Sequence, residues 1–164
     1  MTDSLHIGAI TSDQLYAGPL DTGALVRLQI PYDKPPASLW GNTRSHWRRR
    51  SQDTLILRSA VQLTARNAGL HQWCDGRVEH ITASLTWAPG DRRRRDADNL
   101  WPFFKVICDG LARGPRKDWV GLELVPDDTP EHFTKNAPVI LPPPAEKGMW
   151  LALTFRFKAE DGAA

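Results

Sequence analysis

Residues 77–111, RVEHITASLTWAPGDRRRRDADNLWPFFKVICDGL, decide how this chain folds. Residues 77–88 alternate apolar and polar side chains and predict a central strand, which Pro89 and Gly90 end. The apolar face of this strand consists of Val78, His80 or Ile81, Ala83, Leu85 and Trp87. Residues 100–111 have helical spacing instead. The apolar face of this helix consists of Leu100, Phe103 or Phe104, Ile107 and Leu111. Because Pro102 is tolerated only in a first helical turn, the helix begins close to Asp98 and Asn99.

The junction between this strand and helix carries the chemistry. The four arginines Arg92, Arg93, Arg94 and Arg95 repel one another, and their natural partner is a polyanion such as a nucleic-acid backbone. If the chain is still extended at Asp96 and Asp98, both carboxylates point to one side and can share a divalent cation. The alternative is a solvated basic surface before an ordinary helix start, with Asp98 or Asn99 as the N-cap.

The chain before this junction predicts a strand, a basic loop and a helix. Residues 24–30 alternate as a first strand, and residues 31–50 form a loop in which Trp40 and Trp47 either stack on bases or plug the core. The following residues of this loop are candidates for nucleic-acid contact: Asn42, Arg44, His46, Arg48, Arg49 and Arg50. Residues 51–69 predict a helix capped by Ser51 and ended by Gly69, with Arg58 and Arg66 in solvent. Its apolar stripe consists of Leu55, Ala60, Val61 and Leu63.

The chain after the junction predicts a turn and two strands. Pro126 and Pro130 stiffen the turn that carries Asp127 and Asp128. This turn either supplies a third metal ligand or is an ordinary Asp-rich turn. Residues 132–141 and 149–158 predict a terminal hairpin. The order is β-α-β-α-β-β, an α+β single domain with a mixed sheet over residues 24–158. Residues 1–23 form a polar arm and residues 159–164 a tail.

Composition restricts the class of protein. The chain has 164 residues and a formal charge of only +2, so its basic character is local rather than global. No window of about 18 apolar residues predicts a membrane span. The N-terminus lacks the features of a secretory signal, which predicts a cytoplasmic protein. Cys74 and Cys108 have neither disulfide nor zinc-site spacing and are predicted to be reduced.

The motifs together resemble the RusA family of Holliday junction resolvases, of phage and prophage type. DRRRRDADNL is nearly that family's basic run followed by Asp-x-Asp-Asn-Leu. Three further motifs occur in the same order: PPASLWGNTR upstream, the Asp-Gly-Leu that closes the second helix, and the Pro-Asp-Asp-Thr-Pro turn. The resemblance covers roughly residues 26–157.

The resemblance implies a small homodimer that depends on Mg²⁺, for which Mn²⁺ can substitute, and makes paired nicks in four-way DNA junctions during recombination and repair. By position, the catalytic carboxylates are Asp96, Asp98 and Asp128, with Asp127 as the close alternative. The family's lysine has no match at its usual spacing, and Lys105 is the candidate to replace it. The lengthened segment 113–124 is a further departure. The rival interpretations are a noncatalytic module that binds branched nucleic acid and a metal nuclease of broader flap or branch specificity.

Overall fold

The computed structural model describes residues 24–112 and 121–159. They form a single α+β domain with two main helices and a mixed sheet, which confirms the predicted class. The strands are β1 (Ala24–Gln29), β2 (Val78–Ala88), β3 (Phe133–Lys135), β4 (Val139–Ile140) and β5 (Gly148–Phe157). The helices are α1 (Trp47–Asn67) and α2 (Trp101–Leu111), with 3₁₀ turns at Ala37–Leu39, Leu70–Trp73 and Ala97–Leu100. The predicted N-terminal arm, residues 113–120 and residues 160–164 of the tail lie outside the described residues.

The sheet has the order β1-β5-β2-β3, and β4 lies beside β2 next to β3. β5 runs antiparallel to both β1 and β2, whereas β3 and β4 run parallel to β2. The predicted terminal hairpin is therefore wrong. The predicted strand 132–141 is instead the two short strands β3 and β4, which pair with one edge of β2, and the Pro-rich segment 141–147 carries the chain across to the other edge of β2. In this position between β1 and β2, the side chains of Leu151, Leu153 and Phe155 are fully buried.

Helix α1 begins four residues before the predicted cap. His46 caps it by accepting a hydrogen bond on Nδ1 from the backbone N–H of Arg48, at 3.3 Å, so the prediction of Ser51 as N-cap is wrong. Residues 48–50 therefore belong to the first turn of a helix, where they are exposed. The predicted C-terminal stop is confirmed, since Gly69 has a left-handed φ of 82°.

The predicted apolar stripe of α1 is also mostly wrong. The buried row is Leu57, Val61 and Ala65, spaced by four residues, whereas Leu55 and Leu63 are more than half exposed. Within this predicted stripe only Val61 is fully buried, and Ala60 is partly covered. Arg58 was predicted to be solvated, but it faces α2 and donates to Asp109 at 3.0 Å. A helix with several apolar faces does not reveal from its own sequence which one the tertiary fold covers.

The strand and helix that flank the arginine run match their predictions closely. A register shift between Val78 and His80 puts Ile81, rather than His80, in the core. In α2, Pro102 lies in the first turn. The predicted apolar face of α2 is buried, including both alternatives at the second position, Phe103 and Phe104. Both cysteines are free thiols, as predicted. In the part of the chain that the structure describes, no helix has the length and apolar character needed to cross a bilayer.

Candidate nucleic-acid and metal site

The junction between β2 and α2 forms a tight acidic turn. Asp96 is still extended, with φ −93° and ψ 122°, and its Oδ1 accepts the backbone N–H of Asp98 at 3.1 Å. Asp98 already lies inside the 3₁₀ turn. The assumption that both residues share one extended strand is therefore wrong, and the cap of the turn is Asp96 rather than Asp98 or Asn99. Both aspartates remain exposed at the surface.

The third predicted carboxylate, Asp128, is held by two lysines. Lys105 of α2 donates to its Oδ2 at 3.1 Å, and Lys135 of β3 donates to the same atom at 3.0 Å. Lys105 also donates to Asp109 of α2 at 3.2 Å. Its salt bridge with Asp128 therefore links α2 to the Pro-Asp-Asp-Thr-Pro turn. The structure thus brings Lys105 and Asp128 together. Lys135 was missed by sequence reasoning, since nothing in its local pattern indicates that β3 places it beside Asp128.

The neighbouring Asp127 is engaged differently. Its Oδ1 accepts both the backbone N–H and the hydroxyl of Thr129, and these hydrogen bonds lower the pKa of Asp127. This is the geometry of a local Asx turn. Asp127 therefore stabilises its own turn, while Asp128 is the member of the pair that contacts α2.

The three carboxylates do not form a complete metal-binding group here. Among residues 24–112 and 121–159, no three His, Cys, Asp or Glu side chains cluster closely enough to hold an ion. The donor chemistry of Asp96 and Asp98 nevertheless suits Mg²⁺, which is commonly bound through one or two carboxylates plus substrate phosphates. The residues therefore fit a two-carboxylate site that the phosphate of a substrate completes, with Asp128 still bound to its lysines.

The arginine run is anchored at one end and free in the middle. Arg95 binds Asp91 through two hydrogen bonds, of 2.5 and 2.9 Å, and its guanidinium lies 5.1 Å from the ring centre of Trp87. This ion pair, together with a hydrogen bond from the backbone N–H of Arg93, holds the pKa of Asp91 well below its usual range. Within the described ranges, the side chains of Arg92, Arg93 and Arg94 make no hydrogen bond or salt bridge. Sequence reasoning missed this anchor, because the segment is not helical and four-residue spacing does not by itself bring two side chains together there.

The basic loop before α1 docks directly on the acidic turn. The backbone N–H of Gly41 donates to the carbonyl of Asn99 at 2.9 Å. Trp40 packs edge-on against Trp87 with ring centres 5.8 Å apart, whereas Trp47 is 68% exposed. Trp40 is therefore partly buried against the core, and Trp47 is the more exposed of the two and available to a ligand.

The predicted contact residues around this loop are all exposed: Asn42, Arg44, His46, Arg48, Arg49 and Arg50. His46 stacks on Trp47 at 5.8 Å, and the guanidinium of Arg48 lies 5.3 Å from the Trp47 ring. Arg49 is paired with Asp53 at 3.4 Å. The surface can offer an aromatic face and several cations to a strand of nucleic acid.

We predict that Gly41→Ala lowers the free energy of unfolding by roughly 1 to 3 kcal/mol, the usual cost of overpacking. A β-carbon at residue 41 would lie 2.8 Å from Asn99 Oδ1 and 2.9 Å from its Cα, and the backbone atom cannot rotate away. Denaturant unfolding measures the change, with Asn42→Ala at the exposed next position as the control. Equal stability of the two variants would show that the loop does not dock in this way.

We also predict that the free energy of unfolding falls less between neutral and acidic pH in Asp128→Asn than in the unaltered protein. Burial would raise the pKa of Asp128, but hydrogen bonds from Lys135 and Lys105 outweigh it and lower the pKa to about 2. Because this lies below the unfolded value of about 3.9, the carboxylate stabilises the fold above about pH 4, and this contribution is lost as pH falls through about 2. After allowance for solvent screening, it is about 1 kcal/mol.

Unfolding by denaturant between about pH 5 and pH 2 measures this dependence. Lys135→Met should give a shallower dependence as well, because Lys135 supplies one of the two hydrogen bonds. Acid profiles of both variants that overlay the profile of the unaltered protein would contradict the assignment.

The site as a whole combines exposed carboxylates on a capped turn, the free arginines Arg92 to Arg94 shortly before that turn, and a basic aromatic loop docked on it. Such a surface can bind a phosphate backbone and present a divalent cation to it. No protein-family model matches the chain, and no curated protein matches it.

Proposed function

We propose that this protein is a Mg²⁺-dependent, structure-selective endodeoxyribonuclease of the RusA type that resolves four-way DNA junctions. One observation carries the proposal. The exposed Asp96 and Asp98 lie a few residues after Arg92, Arg93 and Arg94, whose guanidinium groups have no described partner, and only the anchored Arg95 stands between, so a phosphate bound by these arginines would lie close to the carboxylates along the same segment. A purely structural role leaves this juxtaposition of uncompensated charges without a purpose.

The proposed roles follow from the contacts of each side chain. Asp96 and Asp98 would bind the metal together with a phosphate of the substrate, while Asp128, which the sequence predicts as a third ligand, stays ionised and bound to Lys105 and Lys135. Mg²⁺, or Mn²⁺ in its place, would supply an activated water and neutralise charge on the leaving oxygen. Lys105, which is largely exposed, or an arginine of the run would offset charge that develops on the phosphate. Residues 42–50 would hold the flanking backbone.

Junction resolution implies two copies of the site. A four-way junction has approximate two-fold symmetry and requires cuts in two strands, which a homodimer with an isologous interface delivers. Such a protein would act in DNA recombination and repair in the cytoplasm of a bacterial or phage-infected cell.

A second candidate function is noncatalytic binding of branched nucleic acid. Two observations favour it. The carboxylate of Asp96 caps the 3₁₀ turn, and the negative charge of Asp128 is balanced by the ammonium groups of Lys105 and Lys135. In that case binding would be independent of metal and would yield no nicked product. A metal nuclease with broader flap or branch specificity is the nearer alternative, since cations and carboxylates do not by themselves encode junction selectivity.

The three functions separate in one experiment with end-labelled four-way junction, flap and linear duplex, each incubated with Mg²⁺ or with a chelator. Resolvase activity predicts paired, symmetric nicks in the junction only, and none with the chelator. Nicks in the flap at a similar rate would favour the broader nuclease. Tight binding of the junction without any product in Mg²⁺ or Mn²⁺ would overturn the proposal in favour of the noncatalytic module.

A further inference from the structure

The arginine run forms one wall of an open cavity of about 460 Å³ at the edge of the sheet. Pro89 and residues 91–95 line one side, and residues 140–143, with the sequence Ile-Leu-Pro-Pro, line the other. Its volume is within the range of sites that bind small molecules and single nucleotides. The two walls differ in chemistry, since one is cationic and the other apolar.

The cationic wall has a net positive charge that no described residue balances. Asp91 is the acidic residue of the lining, and its ion pair with Arg95 compensates its charge. Arg95 is in turn fixed over the ring of Trp87. The remaining lining cations Arg92, Arg93 and Arg94 are exposed and make no hydrogen bond or salt bridge with described residues. This wall is therefore suited to an anion.

The apolar wall is held firmly in place. Ile140 pairs with Trp87 across β4 and β2, and the backbone N–H of Leu141 donates to the carbonyl of Trp87 at 2.8 Å. Trp87 therefore contacts both walls: its ring lies against the guanidinium of Arg95, and its backbone carbonyl accepts the N–H of Leu141. Leu141 is 37% exposed and faces the cavity with Pro142 and Pro143. A free phosphate would use the arginines and leave this apolar surface without a partner.

We propose that this cavity holds one unstacked nucleotide of a DNA strand, with its phosphate on Arg92 to Arg94 and its base against Leu141 and the prolines. A base inside a continuous duplex is stacked on both sides and cannot reach such a wall, so the preferred substrate is DNA with a strand that is unpaired or distorted, as at a branch point. The inference rests on the proposed function and deepens it by assigning the source of selectivity for branched DNA to this cavity.

The test compares binding of a single-stranded oligonucleotide with that of a fully abasic strand of the same length, by fluorescence anisotropy in a chelator. The two strands carry the same phosphates, so counterion release is equal and only base contacts differ. The intact strand should bind about 10-fold more tightly. In Leu141→Ser this ratio should fall clearly, with the remainder due to base stacking on the exposed Trp47, whereas Leu25→Ser, at an exposed apolar position on the opposite edge strand, should keep it.

A second readout locates the base. A 2-aminopurine placed at the crossover of a four-way junction should gain fluorescence on binding as it leaves the stack, and this gain should be lost in Leu141→Ser. Equal affinity for intact and abasic strands, or an unchanged ratio in Leu141→Ser, would overturn the inference. The inference would also be overturned if inorganic phosphate competed with the oligonucleotide as effectively as a mononucleotide does. The cavity would then bind phosphate without recognising a base.

The outcome is separable from that of the proposed function. Loss of the base effect while the junction is still cut in Mg²⁺ contradicts the cavity inference alone. A base effect that persists in a protein without cleavage activity contradicts the nuclease and leaves the nucleotide site standing.

Discussion

Replacement of Asp98 by asparagine is expected to slow Mg²⁺-dependent cleavage of a four-way junction by roughly 10²- to 10³-fold, the scale seen when one group that stabilises charge in a transition state is removed. The side chain of Asp98 makes no hydrogen bond with the described residues, and its contact with Asp96 uses the backbone N–H, which the variant keeps. The substitution therefore removes a charge and leaves the turn intact.

Single-turnover rates with the junction in excess Mg²⁺ measure this effect, and anisotropy in a chelator shows whether binding is retained. Asp75→Asn is the matched control, because Asp75 is an exposed aspartate whose carboxylate pairs with Arg77 outside the site. The control should cleave at the normal rate. If Asp98→Asn cleaved the junction at the rate of the control, Asp98 would not be a metal ligand in the reaction.

Replacement of Arg92, Arg93 and Arg94 together by glutamine is expected to lower affinity for branched DNA strongly at low salt. Each arginine that binds a phosphate releases close to one counterion, so the slope of log K against log salt should become shallower by about 2.7 for B-form arms. The three side chains make no described hydrogen bond or salt bridge, so their loss should leave stability nearly unchanged.

Titrations at several salt concentrations give this slope. Arg77→Gln is the control, because Arg77 is also exposed but is paired with Asp75. A salt slope equal to that of the unaltered protein in the triple variant would mean that the arginine run does not touch phosphate.

Local patterns predicted the elements around the site well. The alternation of β2 and the spacing of α2 each reflect burial against a core, and Pro102 and Gly69 act through their own backbone restrictions, so a single sequence carries these signals. The strand-to-helix junction followed directly from them. The position of Asp96 and Asp98 at this junction could therefore be predicted, whereas the 3₁₀ turn and its cap by Asp96 could not.

Features set by distant parts of the chain could not be predicted in this way. The alternation of β5 is the same whether it pairs with β3 in a hairpin or lies between β1 and β2, and only the complete sheet selects the second arrangement. The buried face of α1 depends on where α2 lies, and the contact between Arg58 and Asp109 joins residues far apart in sequence. The contact of Lys135 with Asp128 spans only seven residues, but its geometry depends on the pairing of β3 with β2.

The central claim is that Asp96 and Asp98 hold a divalent cation for DNA cleavage. The most direct measurement is a crystal structure with a branched DNA and Mn²⁺, in which anomalous scattering locates the ion. We expect an ion bound by both carboxylates and by a phosphate oxygen of the DNA. An ion bound elsewhere, or none at these carboxylates while the DNA lies on the arginine run, would contradict the claim.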